Sequence, residues 1–223
     1  MGENLHKIFM TICAIPNTLY FNFKYFSFAD ACKFPVIVSH RVKLRYLGGI
    51  ISFSCPIRTN MVHLGFYENK AFDNSRERMI FDLSGEIIIG EGAYFGNGIK
   101  LVVSGTLKLG NNFQISGNTQ IICEKDIEFG DDVLIGWHCL IMDCDGHKIL
   151  DSKTGEIINE NKKIYVGNRV WVGARTTLLK GTVIADDTVI ASNSHCSKCY
   201  SDSNVILAGI PAKVVKDGIK WIH

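Results

Sequence analysis

The segments IGEGAYFG at residues 89–96, LGNNFQIS at 109–116, FGDDVLIG at 129–136 and VGNRVWVG at 166–173 are variants of one pattern. From Ile89 onward a compact apolar residue recurs at every sixth position, with two slips of two residues and one longer break. These positions are Ile89, Phe95, Leu101, Leu107, Leu109, Ile115, Ile121, Ile127, Phe129, Ile135, Ile141, Val166, Val172, Leu178, Ile184, Ile190 and Cys196. The period matches neither a helix nor an ordinary strand, but it suits a short strand followed by a tight corner.

Three such units close a triangular coil of about 18 residues, and stacked coils place one inward apolar residue on each side above the next. Parallel strands of successive coils then pair at the usual spacing of about 4.8 Å. The sequence therefore predicts an all-β fold, a parallel β-helix. A β-sandwich of short strands also has apolar segments between glycines, but it does not explain a register held at six. The spacing leaves the handedness of the coil open.

The composition fits one globular unit, with 223 residues of which 47% are hydrophobic and 21% are charged. Residues 1–60 carry seven Lys or Arg against two Asp or Glu, so an anionic partner would prefer this end of the chain. The remainder is slightly acidic, which argues against nucleic acid as a partner. Eight scattered cysteines and an apolar stretch at 8–28 that is broken by Pro16 and Lys24 favour a cytoplasmic protein over a secreted one.

The clearest interruption of the register lies between Ile141 and Val166. Phe129 and Val166 are 37 residues apart, which is one coil of 18 residues and 19 more. Long insertions in solenoids are commonly functional loops, and this one contains His147. An imidazole can accept the proton of an attacking hydroxyl at neutral pH. Asp143 and Asp145 precede the histidine at two-residue steps, so one carboxylate would orient the ring in an extended segment. A solvated loop histidine beside turn-forming aspartates is the alternative that the residues leave open.

The repeats and the ending ILAGIPAKVVK at 206–216 resemble the hexapeptide-repeat acyltransferases over about 130 residues, from Ile87 to Lys216. The strings GWHCLIMDCDGHKI at 136–149 and IYVGNRVWVGARTTLLKGTVI at 164–184 are most similar to the O-acetyltransferases of capsule and lipopolysaccharide synthesis. The resemblance implies a left-handed coil, acetyl-CoA as acyl donor without a metal, a sugar hydroxyl as acceptor, and a homotrimer whose active sites are shared between subunits.

The resemblance also implies roles for particular residues. His147 is the general base, with Asp145 or Asp143 as its orienting partner. By their position on a side of the β-helix close to the loop, and not by the resemblance, Trp137 and His138 are candidates for contact with the acceptor. The residues implied in acetyl-CoA binding are Trp171, Gly173, Ala174, Ser192, Lys198 and Lys213. The two lysines are expected to reach phosphate groups, and Gly173, Ala174 and Ser192 to line the pantetheine groove.

These patterns divide the chain into a leading segment at 1–85, a β-helix at 86–216 with a loop insertion at 143–163, and a tail at 217–223. The leading segment is expected to form short helices or turns, with a first strand or coil in VKLRYLGGIISF at 42–53, and to cap the open end of the β-helix or pack on a neighbouring subunit. The basic residues Lys33, Arg41, Lys43 and Arg45 offer an alternative role, docking on a glycan or peripherally at the inner membrane surface.

The sequence is also compatible with other functions. A small acceptor such as serine, an amino sugar or a xenobiotic would use the same chemistry, and a catalytically silent β-helix scaffold would use none of it. His195, Cys196 and Cys199 are possible zinc ligands, but three ligands do not make a closed site and Cys196 occupies the inward register. The separations of His138, His147 and His195 do not fit a carbonic anhydrase of β-helical fold.

Overall fold

The computed structural model describes residues 3–67 and 77–222. Parts of the predicted leading segment and tail, namely residues 1–2, 68–76 and 223, lie outside the described residues. Within the described ranges the strands form three sheets, one along each side of a triangular prism. All neighbouring strands are parallel except for one antiparallel pair at the C-terminal end of the first sheet.

The first sheet contains β1 (Val36–Val38), β4 (Val62–Tyr67), β7 (Ala93–Gly96), β10 (Gln114–Ile115), β13 (Leu134–Ile135), β16 (Trp171–Val172), β19 (Val189–Ile190), β22 (Ile206–Gly209) and β23 (Ala212–Lys216). The second contains β2 (Val42–Leu47), β5 (Met79–Leu83), β8 (Lys100–Val103), β11 (Gln120–Cys123), β14 (Leu140–Met142), β17 (Thr177–Leu179) and β20 (His195–Cys196). The third contains β3 (Ile50–Phe53), β6 (Glu86–Ile89), β9 (Thr106–Leu109), β12 (Asp126–Phe129), β15 (Ile164–Val166), β18 (Val183–Ile184) and β21 (Cys199–Tyr200).

The predicted hexapeptide register is confirmed, because every residue of the apolar series from Ile89 to Cys196 is buried in the prism. Strand pairing shows the two coil lengths seen in the sequence. Gln114 pairs with Leu134, which is 20 residues later, whereas Trp171 pairs with Val189, which is 18 residues later. Each inward side chain therefore packs between equivalent residues of the coils on either side, which gives one continuous apolar core.

The coils begin earlier than the predicted boundary at residue 86. Strands β1 to β5 already pair with later strands, so most of the described part of 36–85 belongs to the β-helix and does not cap it. Residues such as Val38, Leu64 and Phe81 point inward here, but they do not recur at six-residue intervals. Because the inward residues are irregularly spaced here, the sequence did not predict these coils. The predicted strand or coil at 42–53 is present as β2 and β3.

The prediction of short helices or turns near the N-terminus was wrong for residues 3–25. They form one helix, α1 (Glu3–Tyr25), with Pro16 inside it, followed by the short α2 (Phe28–Ala31). Aromatic residues lie on two faces of α1, since Phe21 is buried against the β-helix whereas Tyr20 and Phe23 are exposed. Among the described residues no helix is long and apolar enough to cross a lipid bilayer.

Side chains of α1 hydrogen-bond to the backbone of β1, the outermost strand of the first sheet. The Asn22 side-chain amide donates to the Val36 carbonyl oxygen at 2.7 Å, and its carbonyl oxygen accepts from the Val36 amide at 3.2 Å. The Thr18 hydroxyl accepts from the Val38 amide at 2.9 Å. These contacts satisfy backbone groups that an edge strand otherwise leaves unpaired. The N-terminal end of the β-helix is thus covered by α1.

We expect Asn22→Ala to lower the free energy of unfolding by about 2–4 kcal/mol, because the buried N–H and C=O groups of Val36 lose their partners. Urea unfolding followed by circular dichroism measures the loss. Tyr20→Ala, an exposed change on the same helix, should stay within about 0.5 kcal/mol of the unaltered protein. Equal effects of the two substitutions would contradict the edge-covering role of Asn22.

Candidate active site

The segment 143–163 leaves the prism after β14 and returns at β15, so it projects from the corner between the second and third sheets. Leu150 and Ile157 form an antiparallel bridge within it, and the Ile158 amide donates to the Ile149 carbonyl oxygen at 2.9 Å. Ile149, Leu150 and Ile158 are largely exposed. The loop is therefore an ordered hairpin that presents apolar side chains away from the core.

Asp143 anchors the first residue of this loop in the body of the protein. The carboxylate is buried and accepts the backbone amides of Glu124, Lys125 and Asp126, each at 2.8 Å. These amides belong to the corner of the preceding coil, and within residues 3–67 and 77–222 they make no turn or loop hydrogen bond to a backbone carbonyl oxygen. The structure therefore gives Asp143 a role in closing this corner, in place of the predicted role as orienting partner of His147.

Asp145 fixes the base of the loop through a second set of contacts. Its carboxylate accepts from the Lys180 ammonium group and from the Asn159 side-chain amide, and that same amide donates to the His147 carbonyl oxygen at 2.8 Å. The hydrogen bond from Lys180, followed by that from Asn159, lowers the pKa of the Asp145 carboxyl. The contribution of this clamp is fully present above the ordinary carboxyl pKa and is lost as the pH falls through the lowered value. It is therefore intact at neutral pH.

The side chain of His147 is exposed and lies on the rim of a pocket of about 450 Å³. The pocket lining is polar and includes Glu124, Lys125, Lys148 and Asn159. Among the residues that the structure describes, neither predicted aspartate hydrogen-bonds to the imidazole ring. The sequence placed all three side chains on one side of an extended segment, but Gly146, with φ of 72°, turns the chain between Asp145 and His147. Asp145 holds the backbone at His147 through Asn159 and leaves the ring open.

Trp137, His138 and Trp171 lie elsewhere, along the first sheet and its corner with the second sheet. Trp137 and Trp171 are 41% and 42% exposed and line one groove of about 380 Å³ together with Tyr94 and Gln114. His138 is exposed beside Trp137, with φ of 57°. Trp137 and Trp171 therefore share one surface of the first sheet.

Sequence reasoning missed two aromatic residues of this surface. Tyr94 points outward from β7, one coil before Gln114. The position of Tyr94 in its repeat could have indicated that its ring faces outward. Trp221 lies in the C-terminal tail, where no repeat points to it. Its indole N–H donates to the Arg169 carbonyl oxygen at 2.7 Å, and its ring lies 6.2 Å from that of Trp171. Both residues line a larger adjoining groove of about 900 Å³.

Gly173, Ala174 and Ser192 lie at the corner between the first and second sheets, where the backbones of successive coils approach closely. A Cβ atom on Gly173 would lie 2.6 Å from the Ser192 nitrogen, so close packing requires glycine there. The Gly173 amide donates to the Ile190 carbonyl oxygen at 2.7 Å and is already used by the coil. The amides of Ala174 and Ser192, within the described part of the chain, make no such hydrogen bond. Two of the three predicted groove residues therefore offer donors to a ligand.

Lys198 and Lys213 lie apart in the single chain. Lys198 is at the corner between the second and third sheets, with its ammonium 5.5 Å from the centre of the Tyr200 ring. Lys213 is exposed in β23, the strand that ends the first sheet. Within one chain the two predicted phosphate-binding lysines are therefore not brought together, because Lys198 lies between the second and third sheets and Lys213 lies in the first sheet.

The possible zinc ligands also diverge. Cys196 is buried inside the prism, whereas Cys199 is exposed and His195 points outward from the second sheet. Burial raises the pKa of the Cys196 thiol to about 11, which disfavours the thiolate that zinc needs. In residues 3–67 and 77–222, no group of three or more His, Cys, Asp or Glu side chains is placed to hold a metal ion.

Comparison with known proteins bears on this geometry. No family model matches the chain. A polysialic acid O-acetyltransferase from Neisseria meningitidis is 36% identical over 107 residues, which are 47% of this chain and 50% of that protein. The chain thus spans about half the length of the curated relative that it matches.

The crystal structure of the polySia specific acetyltransferase NeuO superposes with a TM-score of 0.58 at 19% identity, and the match covers 82% of this chain and 89% of that one. The chain has the left-handed β-helix fold of the hexapeptide-repeat acetyltransferases. Both the predicted resemblance and the predicted handedness are thereby confirmed. A hexapeptide-repeat containing acetyltransferase from Vibrio cholerae, solved complexed with acetyl coenzyme A, is 24% identical with a TM-score of 0.47, covering 54% of this chain and 64% of that one.

We expect Asp143→Ala to lower the free energy of unfolding by about 3 kcal/mol or more, because three amides lose a buried charged acceptor at once. Asp145→Asn is the matched control and should cost less than about 1 kcal/mol, since its ion pair with Lys180 is partly exposed to solvent. Denaturant unfolding of both variants checks this. An Asp143→Ala protein of normal stability would show that the carboxylate does not close the corner.

Proposed function

We propose that this chain is an O-acetyltransferase that moves an acetyl group from acetyl-CoA to a hydroxyl of a sugar, with His147 as the general base. The observation that carries the proposal is the placement of His147, exposed on a pocket rim at the head of a loop whose base is clamped by Asp145, Asn159 and Lys180. The 36% identity to a polysialic acid O-acetyltransferase supports the same chemistry and a glycan acceptor.

The reaction requires one proton to move twice. The His147 imidazole accepts the proton of the acceptor hydroxyl as its oxygen attacks the acetyl carbonyl carbon. The carbon–sulfur bond then breaks, and the imidazolium returns the proton to the departing thiol. The open ring of His147 suits both transfers, because no carboxylate of the described residues occupies its nitrogen atoms. A clamped backbone holds the ring near the acceptor, which lowers the entropic cost of the reaction.

The corner between the first and second sheets suits the acyl donor. Pantetheine carries amide carbonyl groups, and the amides of Ala174 and Ser192 are donors without an acceptor among the described residues. The exposed rings of Trp137 and Trp171 flank a groove beside them and offer apolar surface. Acetyl-CoA supplies the activated acetyl group when it is bound there.

The catalytic base and the donor groove lie at different corners of one chain. His147 follows the second sheet, whereas Trp171 and Ala174 belong to the first sheet and the corner after it. A complete site therefore needs the loop of one subunit against the groove of another. We propose a homotrimer with shared sites, because a cyclic assembly brings unlike corners of adjacent prisms together and closes.

We expect His147→Ala to lower kcat by about 10²–10⁴-fold, the usual contribution of a general base, without a change in fold. The measurement is thiol release from acetyl-CoA with polysialic acid, other glycans, an amino sugar and serine as acceptors. His195→Ala, a change of another outward histidine, should keep full activity. Unimpaired turnover by His147→Ala would exclude the proposed base, and release with the small acceptors alone would exclude a glycan acceptor.

Shared sites predict complementation between two inactive variants. We expect His147→Ala and Trp171→Ala each to be inactive as pure proteins, and their co-expressed mixture to recover about one quarter of normal activity, since an intact site then combines one good surface from each variant. Thiol release by the mixed oligomer measures this. A mixture as inactive as its components would show that each site is built from one chain.

A further inference from the structure

Helix α1 presents apolar side chains on opposite faces. One face packs on the first coil and is buried, with Met10, Ala14, Thr18, Phe21 and Asn22. The opposite face carries large apolar side chains that are 41–59% exposed. This outer face consists of Ile8, Phe9, Ile12, Ile15, Leu19, Tyr20 and Phe23. At 3.6 residues per turn these seven positions fall within about 140° of the helix circumference, so they form one continuous stripe.

The stripe continues past the end of the helix. Phe28 is 77% exposed, and its ring lies 5.8 Å from that of Phe23. The sequence from Ile8 to Ala29 contains no acidic residue and one basic residue, Lys24. A contiguous apolar surface of this kind marks a contact with a membrane or with another protein.

The end of the prism that carries the stripe has more basic than acidic residues. Strands β1, β2 and β3 are the outermost strands of their sheets, so α1 and the first coil lie at the same end of the prism. Lys43 and Arg45 point outward from β2, and Lys33 precedes this coil. Lys33 pairs with Asp30 at 2.8 Å, and Arg45 pairs with Asp82 at 3.3 Å. Within the described part of the chain, Lys43 is therefore the one of these three cations that no ion pair offsets. Over residues 1–60 the seven Lys and Arg outnumber the two acidic residues. The apolar stripe thus lies at the positively charged end of the molecule.

We propose that the outer face of α1 docks this protein on an anionic lipid bilayer, with the helix lying along the surface and its apolar side chains inserted among the lipid headgroups and upper acyl chains. Aromatic and aliphatic side chains on one helix face with cations around it are typical of such interfacial helices. The positive end of the prism matches the negative charge of the headgroups. Two copies of the chain joined through this face would instead bring two positive ends together.

The test is co-sedimentation of the full chain with vesicles of phosphatidylglycerol and phosphatidylcholine, compared with vesicles of phosphatidylcholine alone. We expect binding to the anionic vesicles that weakens with added salt, because part of the attraction is electrostatic. The double substitution Ile12→Ser and Phe23→Ser should weaken binding by about tenfold or more, since it removes two inserted side chains. Lys43→Gln should weaken binding to anionic vesicles and leave the remaining apolar contribution unchanged.

Val215→Ser is the matched control, an exposed apolar residue in β23 at the other end of the first sheet, and it should bind vesicles normally. Circular dichroism confirms that the double variant is folded, which is expected because both positions are exposed. An unaltered protein that does not sediment with anionic vesicles, or a double variant that sediments equally well, would overturn the proposal. So would a fall in molar mass of the double variant by light scattering without any vesicle binding, because a second copy would then be what covers the stripe.

Discussion

The stacking of each coil directly on the one before it is the constraint on which the rest of the structure depends. Backbone hydrogen bonds join equivalent residues of successive coils, and the corners approach as closely as the sheets do. A Cβ atom on Gly105 would lie 2.4 Å from the Lys125 carbonyl oxygen, and one on Gly110 would lie 2.4 Å from backbone atoms of Gly130. A side chain at either of these corner positions would clash with the next coil, so both require glycine. The inward residues must then recur at a fixed distance from the corners.

Many corner amides donate to carbonyl oxygens of a neighbouring coil, but some do not, and the three corners differ in what these remaining amides meet. Between the third and first sheets, side-chain oxygens of the next coil accept them, as Asp131 and Asn168 do. Between the second and third sheets, Asp143 accepts three at once. Between the first and second sheets, the amides of Ala174 and Ser192 remain available, within the part of the chain that the structure describes. The corner whose amides remain available is therefore the one that suits a ligand with amide carbonyl groups.

The N-terminal helix solves a different problem of the same architecture. A solenoid exposes its apolar interior and an unpaired edge at each end. Asn22 and Thr18 satisfy the backbone of β1, and Phe21 fills the space above the first coil. The face of α1 that is not needed for this cover remains apolar, which a helix used only as a cap would not require. One element thus closes the β-helix and carries a second surface.

The sequence by itself determined the coil, because a six-residue apolar register has one regular structural solution and appears as a local pattern. It also determined where the long loop leaves the prism and which histidine the loop contains. It did not reveal the coils formed by residues 36–85, where inward residues such as Val38 and Phe81 lack the regular spacing. The two apolar faces of α1 were also hidden, because aromatic residues on both faces mask the helical period.

Only the tertiary structure decided what the side chains near His147 do. Asp143 and Asp145 look equivalent in the sequence, yet one is drawn into a corner by three amides from the preceding coil and the other pairs with Lys180 from the following coil. These partners are 17 to 35 residues away in the chain, so no local pattern encodes them. Trp171 and Trp221 are farther apart still in the chain, and their contact depends on the path of the tail across the first sheet. The repeat is visible in the local sequence. Contacts between coils join residues that are far apart in the chain, so they depend on how the coils stack in the folded structure.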